Sequence, residues 1–157
     1  MEDSKVDNLI NIKESEKGPR KPRVLIVEDD DFIDMYLHEI LNDSTEIEAG
    51  TYKSVQQATE MLDKKTDSDP KIDVLVTDLG LHGDPIGGTK VVEPFRKKYP
   101  NASIIFVTGN PYKLDDLYTP DQREKIKFDV VGKPFTPPVL MRKIEAIKKS
   151  INSSPQA

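Results

Sequence analysis

Short apolar runs alternate with helical patterns along most of the chain. Residues 24–27 form a continuous aliphatic run, as a strand buried on both faces requires. Ile33, Tyr36, Leu37, Ile40 and Leu41 then recur at three-and-four spacing, which predicts an amphipathic helix. Residues 46–51 read as a second strand. Ser54 opens the next helix as N-cap, with Gln57 at the capping-box position and Val55, Ala58, Met61 and Leu62 on the core face. After a polar loop over 64–70, residues 72–76 predict a third strand that runs on to Asp78. Gly87 and Gly88 precede a helix carrying Val91, Val92 and Phe95, and Pro94 should shorten or kink it. Residues 103–107 predict a fourth strand ending at Thr108, and 128–131 a fifth. Thr136 as cap and Pro137 as first residue begin a last helix with Leu140, Ile144, Ile147 and Ile151 as its buried stripe.

Five strands alternating with helices imply an α/β domain: a doubly wound parallel sheet with helices on both faces. In such sheets ligands bind beyond the carboxyl ends of the strands, where strand order reverses. The ends of the chain lack this patterning. Residues 1–21 are polar and charge-rich and read as a disordered arm, 22–151 as the domain, and 152–157 as a loose tail.

Composition narrows the chemistry. There is no cysteine, which excludes disulfides, thiolate metal sites and cysteine nucleophiles. Two histidines cannot build a multi-histidine zinc site. The net charge of −5 argues against nucleic-acid binding. No apolar run approaches the roughly 18 residues of a membrane span. Residues 1–23 carry no cleavable secretory pattern, so a cytoplasmic setting is expected.

The strand ends carry the polar residues that matter. Glu28, Asp29, Asp30 and Asp31 follow the first strand, Asp78 ends the third, Thr108 the fourth, and Lys133 follows the fifth. Acids at the ends of neighbouring strands converge to roughly 5 Å, and carboxylates that close repel unless a cation lies between them. Mg²⁺ suits such a site because it takes oxygen ligands, needs few from the protein and keeps several waters. It also offsets charge in phosphoryl transfer. An aspartate can accept a phosphoryl group as an acyl-phosphate, a lysine can neutralise it, and a threonine hydroxyl can donate to it. Asp30 and Asp31 are assigned instead to the helix N-terminus, where acids complement the macrodipole. His82 reads as an exposed loop residue and His38 as a solvated residue on the polar side of the first helix.

With VLIVEDD (24–30), DVLVTD (73–78), SIIFVTG (103–109) and VGKPF (131–135) in this order, the sequence resembles the response-regulator receiver family over about residues 23–151. The resemblance implies a five-stranded, flavodoxin-like sheet of order 2-1-3-4-5. It implies that Asp78 is the phosphoacceptor and that Asp78 and Asp29 ligate Mg²⁺. Glu28 would act on the metal mainly through water, and the Gly80 backbone carbonyl would complete the site. Thr108 and Lys133 would hold the phosphoryl group, and the Lys133–Pro134 peptide would be cis. The implied partners are a sensor histidine kinase or histidine phosphotransfer protein as donor and an output protein of unspecified identity.

Three features depart from the family pattern. His82 stands where a proline is usual, in a loop about two residues longer than typical. Val130 stands where a tyrosine or phenylalanine normally reports the phosphorylated state, and Phe128 is no assured substitute. Residues 110–127 are long and polar, with Leu114, Leu117 and Ile126 as the few anchors, and predict a short helix of low local stability. Two other readings compete with the phosphorylation switch. A receiver-fold scaffold that is never phosphorylated would not need the acidic set. A phosphatase of the haloacid-dehalogenase type would need a second aspartate two residues after the nucleophile, where Gly80 stands, so the chain is expected not to be an enzyme on an external substrate.

Overall fold

A computed structural model describes residues 20–81 and 83–153. Most of the predicted arm, His82 and the last four residues lie outside the described residues. The strands are β1 (Arg23–Val27), β2 (Glu46–Tyr52), β3 (Val74–Asp78), β4 (Ser103–Thr108) and β5 (Phe128–Gly132). The helices are α1 (Asp31–Leu41), α2 (Val55–Lys64), α3 (Gly87–Lys98), α4 (Lys113–Leu117), α5 (Pro120–Ile126) and α6 (Pro137–Ser153). The strands form one parallel sheet of order β2-β1-β3-β4-β5.

Period-two alternation divides the apolar strand residues between two cores. Val24, Ile26, Val74, Val76, Ile105, Val107 and Val131 face Leu37 and Leu41 of α1 and Leu140 and Ile144 of α6. Leu25, Val27, Leu75, Ile104 and Phe106 face Ala58 and Leu62 of α2, Val91, Val92 and Phe95 of α3, and Leu114 of α4. The predicted caps form as well. Asp30 accepts from Phe32 N and Ile33 N at the start of α1, and Ser54 accepts from Gln57 N at the start of α2.

The structure departs from the sequence reading where distant groups intervene. β3 starts at Val74 rather than Ile72, and just before it the Asp73 carboxylate accepts from Arg23 N and from both terminal nitrogens of Arg20, each at 2.8 Å. Arg20 is also tied to α6: its N–H donates to Asn152 Oδ1 at 2.9 Å and its carbonyl accepts from Asn152 Nδ2 at 3.0 Å. Residues read as arm and tail thus hold each other, and α6 continues through Asn152 to Ser153. α3 includes both glycines in its first turn and runs past Pro94, held by buried Phe95, whose carbonyl accepts from Tyr99 N at 2.8 Å. β2 bulges at Ala49 and Gly50, with φ of 51° and 81°, and shifts register against β1 between Val24 and Ile26. His38 is not simply solvated: its Nε2 lies 2.7 Å from Thr51 Oγ1 and 3.2 Å from Asp34 Oδ1, an (i, i+4) contact.

Residues 110–127 hold two short helices instead of one. Thr119 and Gln122 form a reciprocal capping box that starts α5 at Pro120, and Lys127 ends it in the left-handed conformation at φ 56°. α5 buries no residue fully. Among the described residues, no helix is long and apolar enough to cross a membrane.

Candidate functional site

β1 and β3 are neighbours, and Val27 pairs with Thr77. The next residue on each strand therefore brings Glu28 beside Asp78. One carboxylate oxygen from each of Glu28, Asp29 and Asp78 lies within 4.8 Å of the others. Lys133 approaches from β5. Its backbone N–H donates to Thr108 O at 2.8 Å, continuing the β4–β5 ladder past Gly132. The Lys133–Pro134 peptide is cis. The Lys133 ammonium donates to Asp78 Oδ2 at 3.0 Å and lies 3.7 Å from Glu28 Oε2. Four of the predicted site residues thus meet in one cluster.

The other two sit beside that cluster. Thr108 closes β4 between β3 and β5, is 4% exposed, and accepts from Asn110 N at 3.1 Å while keeping its own hydroxyl proton to donate. Gly80 lies two residues past Asp78, in the loop to α3.

The electrostatics of the cluster centre on Glu28. Glu28 is fully buried. Its Oε1 accepts from Asp30 N at 3.1 Å, but its buried Oε2 has no hydrogen-bond partner. Burial first, and then the neighbouring charge of Asp78, push the Glu28 carboxyl up to about 7, against the opposing pull of Lys133 and the Asp30 N–H. The Lys133 ammonium faces two of these carboxyl groups at once, Asp78 and Glu28. An orphaned buried oxygen among acids, with only oxygen donors converging, fits a hard divalent cation such as Mg²⁺.

Gly88 carries a role that the sequence reading missed. A Cβ there would lie 2.1 Å from the Asp78 carbonyl oxygen, so only glycine lets the first turn of α3 lie against the end of β3. Its N–H donates to Leu79 O at 2.7 Å and fastens the helix to the residue after Asp78. The signal was the glycine pair itself, placed before the helix rather than recognised as a close approach. Tyr118 was also missed. It packs on Phe128 with ring centroids 5.2 Å apart, and Phe128 packs edge-on against Phe106, also at 5.2 Å. This cluster lies on the same side of the sheet as Val130, which packs against the core there.

A doubly wound parallel sheet with an acidic pocket, a cross-strand lysine and a buried threonine at its carboxyl edge defines an α/β domain of the receiver class. Residues 24–145 match the family model of the response regulator receiver domain, and the chain belongs to that family. It resembles a response regulator receiver protein from Sinorhizobium medicae at 22% identity and a TM-score of 0.66, over 83% of this chain and 97% of that one. It also resembles the PhyR receiver domain of Erythrobacter litoralis at 27% identity and a TM-score of 0.63, over 90% of this chain and 98% of that one. The non-phosphorylated HemR receiver domain of Leptospira biflexa is similar at 23% identity and a TM-score of 0.64, over 87% and 98% of the two chains. No curated protein sequence matches it.

Proposed function

We propose that this chain is a phosphorylation switch that accepts a phosphoryl group on Asp78 in a Mg²⁺-dependent reaction. The observation that carries this reading is the contact of the Lys133 ammonium with Asp78 beside the Glu28 and Asp29 carboxylates. The donor is a phosphohistidine on a sensor histidine kinase or histidine phosphotransfer protein. An Asp78 carboxylate oxygen attacks phosphorus, the P–N bond to the imidazole breaks as the P–O bond forms, and the imidazole keeps the electron pair and takes up a proton.

Lys133 stands ready to neutralise one phosphoryl oxygen, and the Thr108 hydroxyl to donate to another. Glu28, Asp29, Asp78 and the Gly80 carbonyl would hold the metal, Glu28 mainly through water. Bound Mg²⁺ supplies Lewis-acid neutralisation of charge developing on the phosphoryl oxygens. With Gly80 where a phosphatase would carry its second acid, the protein is a phosphoacceptor and not an enzyme acting on an external substrate.

The added charge then biases the loops after β3 and β4 and alters a surface read by an output protein. The role carries with it a cytoplasmic setting, where such phosphodonors are made. Acetyl phosphate with Mg²⁺ should label the protein, and chelation should abolish labelling. Labelling that is absent, or unchanged by chelation, would favour a scaffold that keeps the fold without the chemistry.

A further inference from the structure

We infer that Asp84 is a positioning residue for the acidic site, acting through the β3–α3 loop that carries Gly80; the inference rests on the metal-binding role proposed above. The loop is pinned at both ends. Gly88 fastens its far end to Leu79, and Leu81, only 2% exposed, anchors its middle in the core. Between these points Asp84 is the common partner. Leu81 and Asp84 exchange both backbone hydrogen bonds at 2.9 Å, and Gly87 N donates to the same Asp84 carbonyl at 3.2 Å. The Asp84 side chain takes two more donors: Ile86 N donates to Oδ1 at 3.0 Å, and the Lys90 ammonium donates to Oδ2.

Gly80 lies against this same turn. A Cβ built on it would meet the Asp84 and Pro85 carbonyl oxygens at 3.7 Å, an ordinary contact that wedges nothing in place. The Gly80 carbonyl is therefore held by the hydrogen-bonded loop, and the Asp84 carboxylate sets the shape of that loop. Partners that orient a ligand without touching the metal typically change metal affinity by about 10–100-fold.

The test uses the full chain with Mg²⁺ alone, titrated while the amide resonances of Gly80 and Leu81 are followed. Asp84→Ala should weaken Mg²⁺ binding about tenfold. Asp84→Asn, which keeps an acceptor for Ile86 N, should recover most of the loss. Hydrogen exchange in the metal-free protein should speed up at the Leu81 and Gly87 amides of Asp84→Ala. At saturating Mg²⁺ its labelling by acetyl phosphate should return to the wild-type rate. Wild-type Mg²⁺ affinity in Asp84→Ala, with only a lowered melting temperature, would overturn the inference and leave the site reading intact. A wild-type protein that binds no Mg²⁺ would overturn both, and the wild-type titration alone separates the two failures.

Discussion

The Lys133 ammonium donates to Asp78 Oδ2 at 3.0 Å, reaching from the end of β5 over β4 to the end of β3. A hydrogen bond to a charged group is worth about 2 kcal/mol, or roughly thirtyfold in a rate. Lys133→Ala should therefore slow labelling by acetyl phosphate about thirtyfold at saturating Mg²⁺. Far-ultraviolet circular dichroism should be unchanged, because only the backbone of Lys133 serves the sheet. Labelling kinetics of the two proteins check this, and equal rates would remove Lys133 from the site.

Burial of Glu28 predicts an unusual pH dependence. Its carboxyl is raised from 4.5 to about 7 in the folded protein. The stability that this contributes is fully present below the unfolded value near 4.5 and is lost as pH rises through about 7. For metal-free protein the loss is of the order of 3 kcal/mol. Urea melts at about pH 5 and about pH 8 should show the wild type weaker at the higher pH, and Glu28→Gln should flatten the difference. Mg²⁺ should restore more stability at the higher pH, because binding releases the Glu28 proton. The same slope in Glu28→Gln as in wild type would contradict the assignment.

Gly88→Ala tests the approach of α3 to β3. An alanine in a helix is ordinarily better than glycine by roughly 0.5–1 kcal/mol. Here the new methyl would stand 2.1 Å from the Asp78 carbonyl oxygen, so the backbone must give way. Gly88→Ala should instead cost about 2 kcal/mol and lower the melting temperature. A stabilised variant would contradict so close an approach of α3 to β3.

The α4–α5 segment is the expected reporter of phosphorylation. Val130 brings no ring to the site, and α5, which buries no residue fully, is held by Ile126 at the edge of the core, by Arg123 paired with Asp115 and 4.9 Å from the Phe128 ring centre, and by Arg96 donating to Ile126 O. Such thin support means low local stability. Hydrogen exchange with and without a phosphoryl mimic should differ over residues 113–126. Equal protection in both states would move the output elsewhere.

The parts of the fold that could be read from sequence are those fixed by local pattern. A parallel strand buried on both faces must be a continuous apolar run, and 24–27, 74–76 and 104–107 are such runs. The site was legible for a related reason: Glu28, Asp29, Asp78, Thr108 and Lys133 all lie at or just past the carboxyl ends of strands, and topology does the gathering. The hidden features depend on partners far away in the chain. Nothing near Asn152 announces Arg20, and nothing near His38 announces Thr51. The aliphatic anchors Leu114, Leu117 and Ile126 pack on the core as expected, and the Tyr118 ring against Phe106 and Phe128 adds a contact that no periodicity announces. Gly88 was placed outside the helix because close approach of a helix to a strand end leaves no periodic trace.

The central claim is that Asp78 takes the phosphoryl group, and intact-mass measurement after incubation with acetyl phosphate and Mg²⁺ tests it most directly. Wild type should gain the mass of a single phosphoryl group, and Asp78→Asn should gain none while remaining folded. An equal gain in both proteins would contradict the account.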